Sequence, residues 1–320
     1  MNLGTRVGLK LGKATRDAFG EALRDLGREF PDIVVIDGDV SNSTRTEWFA
    51  KEFPDRFFNV GIAESNLVGV ASGLAACGKI PVAASFACFL LCNAFDQIRM
   101  SVAFPRLNVK LVGSHAGISI GEDGPSQMGI EDVALACALP GLAVLVPADE
   151  HATRSATRAM ILHEGPTYLR LGRPPVPVVY DESFEFVIGK AYQLRAGHDV
   201  TLVANGIMVA AALDAAEELA SRGIQARVLD VPTVKPTDEE ALVTAARETG
   251  GIVVAEEHLH YGGLGSVVAM TVAQRHPCPM AFVDLDDTYA ESGTPDDLLR
   301  AYGLTAERIV EAAESVVVRR

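Results

Sequence analysis

Two glycine-dense segments and one isolated acid are where this chain gathers residues able to do chemistry. The segments are Ile36-DGDVSNST-Arg45 and Gly113-SHAGISIGEDGPSQ-Met128. Each follows a short apolar run, so each lies beyond the carboxyl end of a strand, where open α/β sheets bind ligands. The second spans sixteen residues with four glycines, His115, Glu122 and Asp123. A loop of that length in a compact domain is usually functional. The first reads equally well as an ordinary connection. A lone loop histidine is commonly structural, but His115 is the only one of seven histidines inside a glycine-rich loop. The isolated acid, Glu64, starts the small, apolar helix of Val60-GIAESNLVGVASGLAA. It is either an acid favoured by the helix dipole or a carboxyl in apolar surroundings that exchanges a proton near neutrality.

Other chemistries are disfavoured. The chain has no G-x-S-x-G elbow, no HExxH and no Walker loop. Gly262, Gly263 and Gly265 follow a strand but miss the dinucleotide spacing. The five cysteines, Cys77, Cys88, Cys92, Cys137 and Cys278, are an odd number in apolar contexts and do not read as a disulfide framework. Cys88 and Cys92, four apart without a nearby histidine, read as small core hydrophobes rather than metal ligands. No metal site is expected. The net charge of −14 opposes nucleic-acid binding, and an anionic substrate needs a local basic cluster. No apolar run has the length of a membrane span or a signal peptide, so a cytoplasmic protein is expected.

The elements that must position these residues alternate between apolar runs and amphipathic stretches. Ala14, Ala18, Ala22, Leu23 and Leu26 recur at helical spacing. Strands are expected at 32–38, 79–86, 108–114 and 142–148, and helices at 63–76, 93–103, 131–137 and 149–162. The proline-rich stretch at 172–190 reads as a linker. Beyond it, strands at 198–205, 224–229, 251–256 and 279–285 alternate with helices at 207–219, 238–248, 264–274 and 305–317. The fold class is therefore α/β: two tandem domains, 10–175 and 190–320, each a mostly parallel sheet flanked by helices.

The segments KATRDAFGEAL, IDGDVSNSTRTEWF, GIAESNLVGVASGLA, FACFLLCNAFDQIRMS and GSHAGISIGEDGPSQMGIEDVA, in this order, resemble the pyrimidine-binding domain of the transketolase family. VVAEEHLHYGGLGS and SGTPDDLLRAYGLTAERI are similar to that family's C-terminal domain. The resemblance implies thiamine diphosphate as cofactor and transfer of a two-carbon ketol unit between sugar phosphates. It implies that Glu64 bonds a ring nitrogen of the aminopyrimidine and that Phe89 stacks on the ring. Phe86 falls at a second aromatic position of the family, although two core aromatics at this spacing are equally readable. Gln127 would lie near the cofactor. His115 would contact hydroxyls around the transferred unit, and Asp123 would hold a sugar hydroxyl. Arg16, Ser43 and Arg173 match phosphate-binding positions, and guanidiniums suit phosphate. LLCN at 90–93 departs from the Gly, Thr and Arg frequent there.

The family's diphosphate-binding domain, with its GDG motif and a later Asn, has no counterpart here: the only Gly-Asp pair of that kind is Gly38-Asp39. The resemblance thus implies the C-terminal subunit of a split transketolase. A separate N-terminal subunit would hold the diphosphate and a divalent metal, Mg or Ca, and this chain would form a dimer within a heterotetramer. The competing readings are a deoxyxylulose phosphate synthase, a 2-oxo acid dehydrogenase β subunit, and a non-catalytic regulatory subunit. His115 and Asp123 in the GEDGPSQ loop favour ketol transfer, and the retention of Glu64, Phe89 and Arg173 disfavours a regulatory relic.

Overall fold

Ile33–Asp37 is buried along its whole length, as a parallel strand covered on both faces must be. In the computed structural model, which describes residues 2–319, this strand lies near one edge of a seven-stranded sheet. From that edge the order is Phe57–Asn59, Ile33–Asp37, Ile80–Phe86, Lys110–Ser114, Thr167–Arg170, Ala143–Leu145 and Thr233–Lys235. All pairings are parallel except the last. The second sheet has five strands, Met280–Val283, Ile252–Ala255, Val200–Ala204, Ala226–Asp230 and Tyr192–Arg195, and only the last pairs antiparallel. The α/β class expected from the alternation is the fold observed.

The expected helices form, with small shifts at their ends: Glu64–Ala76, Asp132–Cys137, Glu150–Leu162, Met208–Ser221, Glu239–Thr249, Leu264–Arg275 and Ala306–Val318. The exception is 93–103. There a short helix, Phe95–Gln97, is flanked by wide π-turns at Phe89–Asn93 and Ile98–Ala103. The LLCN segment lies in the first of these turns. Leu90 and Leu91 take its core positions, and Cys92 is left at the surface. Cys88 is a small core residue as expected, but Cys92 is not. Cys77 is exposed as well.

The stretch read as the linker contains a short strand. Pro175–Pro177 pairs antiparallel with Leu11–Ala14, and no sheet neighbour needs its missing donors. Just beyond, the buried carboxylate of Asp149 gathers the chain. It accepts from Ala152 N at 2.8 Å, capping the Glu150–Leu162 helix, and from Val179 N at 2.6 Å and Tyr180 N at 2.7 Å. The Tyr180 hydroxyl donates to Asp230 Oδ2 at 2.7 Å, at the end of a strand of the second sheet. Burial pushes the Asp230 carboxyl up to about 8. The connection is thus pinned to both sheets. Among the described residues no helix is long and apolar enough to cross a membrane.

Asp149→Ala removes the acceptor of three backbone N–H groups. The lost cap and the unmet donors together are expected to cost about 2–4 kcal/mol. This is read as a lower urea midpoint at unchanged slope, and an unshifted midpoint would show that other contacts hold the connection.

Candidate active site

Each residue singled out in the first half follows the carboxyl end of a strand. Ser43 follows Ile33–Asp37, Glu64 follows Phe57–Asn59, and Phe86 closes Ile80–Phe86 with Phe89 just beyond. His115, Asp123 and Gln127 follow Lys110–Ser114, and Arg173 follows Thr167–Arg170. Five neighbouring strands thus deliver their loops to one edge of the sheet. Arg16 enters from the first turn of the Thr15–Glu29 helix, which the small Leu11–Ala14 strand orients.

Glu64 is the first residue of its helix and is buried. The preceding Ala63 offers no side-chain cap, so the acid at this end meets the dipole directly. Its Oε1 accepts from the buried hydroxyl of Ser85 at 3.0 Å. The next residue, Phe86, lies in a column of rings. Its ring stacks on His115 at 3.8 Å between centroids and 14° between planes, and on Phe89 at 5.7 Å and 10°. Gln127 is half-buried, and its side-chain oxygen accepts from Ser126 Oγ at 2.5 Å. The Cys88 thiol donates to the Gln127 carbonyl at 3.3 Å, and burial holds that thiol up at about 12, too high for a nucleophile.

The protonation of His115 follows from its partners. Arg16 Nη1 lies 3.2 Å from Nε2 and can only donate, so Nε2 is the acceptor. Nδ1 then carries the proton and donates to Ser114 Oγ at 2.8 Å. Burial first, then the charges of Arg16, Arg173 and Arg45, hold His115 down at about 3. It is a neutral, oriented ring.

The basic cluster that an acidic chain needs is present. Arg16 Nη1 also donates to the Ser43 carbonyl at 3.1 Å. Its buried Nε finds no hydrogen-bond partner among the described residues. Burial lowers its pKa, with Arg45 and Arg173 adding repulsion. Arg173 Nη1 donates to the Ile120 carbonyl at 2.9 Å and faces Asp123 at 3.4 Å and Glu122 at 3.8 Å. The structure therefore pairs Arg16 with His115 and Arg173 with Asp123, and it joins Ser43 through its main chain.

Sequence reading missed the residues that set this geometry. The buried Asp37 carboxylate accepts from Val40 N at 2.7 Å and from the Thr44 and Thr46 hydroxyls, both at 2.8 Å, which knits the first loop. Arg45, left-handed at φ 67°, crosses to Asp17 at 2.6 Å. A Thr-x-Thr after a strand-end acid is a readable signal for such a knot. The Ser85 hydroxyl, inside an apolar run, carried none.

The donor set fits the pyrimidine end of thiamine diphosphate. A buried carboxylate suits a ring nitrogen, and a half-buried phenylalanine in a ring column suits a flat heterocycle. The Nε of Arg16, without a hydrogen bond among the described residues and beside two further guanidiniums, suits a phosphate.

Residues 12–178 match the transketolase pyrimidine-binding domain, and residues 189–309 match the transketolase C-terminal domain. The chain is 44% identical over 305 residues to the 6-deoxy-6-sulfo-D-fructose transketolase subunit SqwH of Clostridium sp. (strain MSTE9), covering 95% of both. It is 41% identical over 302 residues to a putative transketolase C-terminal section of Methanocaldococcus jannaschii, covering 93% of this chain and 95% of that one. Among solved structures it is similar to a split-gene transketolase described as an inactive β4 tetramer. The TM-score is 0.91 at 49% identity, over 97% of this chain and 100% of that one. The chain belongs to the transketolase family and carries that family's pyrimidine-binding and C-terminal domains.

Proposed function

We propose that this chain is the C-terminal subunit of a split, thiamine diphosphate-dependent transketolase that moves a two-carbon ketol unit between sugar phosphates. One observation carries the reading: Glu64, the Phe86–Phe89 column with His115, and Arg173 stand at the carboxyl ends of neighbouring strands, with Arg16 brought against His115 from the Thr15–Glu29 helix. The relatives described as a subunit, a C-terminal section and a split-gene protein support the subunit assignment. In this reading a separate N-terminal subunit holds the diphosphate and its divalent metal. This chain forms a dimer within a heterotetramer. The free cysteines suit a cytoplasmic setting.

When bound, the cofactor supplies the carbon nucleophile and electron sink. This chain's residues bind and orient. Glu64 holds a proton at the aminopyrimidine ring nitrogen, and Ser85 fixes its carboxylate by donating to Oε1. Phe89 supports the ring face, and Gln127 lies near the cofactor. His115, neutral and flat on Phe86, offers its Nε2 to hydroxyls of the transferred unit once Arg16 turns to phosphate. Asp123 exchanges Arg173 for a sugar hydroxyl when Arg173 does the same. Ser43 completes the phosphate side. Sugar-hydroxyl and phosphate readers together favour ketol transfer over decarboxylation of a small oxo acid.

The direct test combines the chain with a GDG-bearing partner and follows ketol transfer from a sugar phosphate. The mixture is expected to turn over, and this chain alone neither to turn over nor to bind the cofactor with Mg²⁺ tightly. Glu64→Gln in the assembled enzyme is expected to lose about 10²–10⁴-fold in rate with assembly intact. Turnover by this chain alone, or near-normal turnover by the variant, would sink the assignment.

Arg173→Ala is expected to raise KM for sugar phosphates by an amount worth about 1.5–3 kcal/mol, the scale of a hydrogen bond to a charged group. Transfer from unphosphorylated hydroxypyruvate should change little. The deciding quantity is the ratio of kcat/KM for the two donors, since loss of uniform binding appears in KM. An unchanged ratio would remove Arg173 from phosphate reading.

His115 sets a pH dependence whose sign is fixed by its lowered pKa. The unfolded chain takes up this proton near the ordinary 6.5, whereas the folded chain resists it down to about 3. Stability linked to His115 is therefore full above 6.5 and lost progressively as pH falls toward 3. His115→Asn is expected to flatten the stability curve in that window while lowering the transfer rate. Parallel curves for variant and wild type would show that His115 is not held neutral by the fold.

A further inference from the structure

The loop that carries His115, Asp123 and Gln127 belongs to the first half by sequence, yet it is held by the second. Ile118, Ile120 and Met128 are fully buried in the hydrophobic cluster of Val200, Leu285 and Leu298. Three loop glycines with positive φ each abut that half. A Cβ on Gly117 would lie 2.1 Å from the Glu257 carboxyl carbon, on Gly121 3.1 Å from Pro295, and on Gly124 2.4 Å from Ser292 Oγ. His115 itself is left-handed at φ 58°. Such a backbone persists only where its surroundings fix it.

Residues 256–258, at the carboxyl end of Ile252–Ala255, supply the fixation. Three successive side chains accept backbone N–H groups from three different elements. Glu256 takes Leu264 N at 2.8 Å and Gly265 N at 2.7 Å, the first turn of its own domain's next helix. His258 Nε2 takes Ala134 N at 3.2 Å, while its Nδ1–H donates to the Leu259 carbonyl at 2.8 Å. Between them Glu257 reaches into the loop and takes Ser119 N at 2.6 Å. Its carbonyl accepts from Arg170 Nη2 at 2.9 Å, and the same nitrogen donates to Gly129 O at 2.9 Å. Gly117 N donates to Gly129 O at 2.7 Å and closes the neck of the loop. Glu257 therefore grips both the apex and the neck.

We propose that Glu257 is a positioning residue for ketol transfer: its carboxylate, seated against Gly117 and bonded to Ser119 N, sets the loop that aims His115, Asp123 and Gln127. The proposal rests on the transketolase reading above for its effect on rate, and on geometry alone for its effect on the loop. A charged acceptor makes the shorter, stronger bond to an N–H, which fits its use at a strained apex. Burial raises the Glu257 pKa, and Arg170 and Ser119 oppose that rise. The C-terminal domain thus contributes to the site without touching a substrate.

Hydrogen exchange of the full chain reads the loop without any substrate. In Glu257→Ala, the 115–128 segment is expected to exchange at least about tenfold faster, while 200–204 and 252–255 keep their protection. Glu257→Gln retains an oxygen acceptor for Ser119 N and is expected to restore most of that protection. Gly117→Ala keeps Glu257 and the second sheet intact but drives a Cβ into the carboxylate, and it should open the same segment. In the assembled enzyme, Glu257→Ala should lower kcat by about 10²-fold through misplacement of the loop, with the Gln variant rescued. Wild-type exchange of 115–128 in both Glu257→Ala and Gly117→Ala overturns the proposal. So does loss of protection spread evenly over the second sheet. If the loop opens as expected but no variant or wild-type assembly transfers ketol units, the functional reading fails and the positioning of the loop stands.

Discussion

A buried carboxylate is costly unless backbone or hydroxyl donors replace the water it loses, and this chain uses that constraint at each end it must organise. Asp37 is fully buried, and burial raises its pKa, yet it accepts from one amide and two hydroxyls of the loop that follows. Asp149 does the same for the connection between the halves, and Glu257 for the long glycine loop. In each case the acid stands at or just past a strand end. Each turns an irregular segment, whose N–H groups would otherwise be unmet, into a defined one. Asp132 extends the pattern: its carboxylate takes the Tyr168 hydroxyl at 2.6 Å and Arg170 Nε at 2.9 Å, beneath the floor of the site. Without these acids the sheet would still form, but its loops would have no fixed shape.

The same acids bear on the electrostatics. A net charge of −14 would repel a phosphate at a distance. Close in, burial first and then the crowding of Arg16, Arg45 and Arg173 depress the pKa of Arg16 and of His115. Arg45 is held by Asp17 and Arg173 by Asp123. The cations are therefore partly neutralised without a ligand and carry exchangeable partners. In the proposed reading, a phosphate entering here would replace carboxylates and carbonyls rather than water alone, which would sharpen the choice of anion.

The alternation of apolar runs and amphipathic helices made the sheet class legible, because buried parallel strands read as continuous β-branched stretches. Phe57–Asn59, Thr167–Arg170 and Thr233–Lys235 were not legible, because no apolar run longer than the three or four strand residues marks them. The π-turns around Phe95–Gln97 escaped because wide turns and ordinary helix share the same residue preferences. At the site, residue types and the family resemblance pointed to Glu64, His115 and the arginines. The tautomer of His115, its stack on Phe86 and the grip of Glu257 depend on contacts between residues 29, 99 or 138 positions apart. No local pattern encodes such separations. Glu-Glu-His after a strand reads as a solvated turn until the fold shows what each side chain caps.

Strain and anchoring occur together, and this explains how half of a catalytic centre is held in shape by one chain. Among the non-glycine residues with positive φ are Asp39, Arg45 and His115, all in the two loops beyond the strand ends. Each such conformation costs of order 1–3 kcal/mol and persists only under outside constraint. Asp37 constrains the loop of Asp39 and Arg45, and Glu257 constrains the loop of His115. Both anchors are internal to this chain. The loops therefore have anchors within this chain, and in the proposed reading a partner would add ligand-binding groups rather than loop shape. The second domain, which brings no group to the reacting atoms in the proposed mechanism, supplies the acid and the apolar cluster on which the long glycine loop rests.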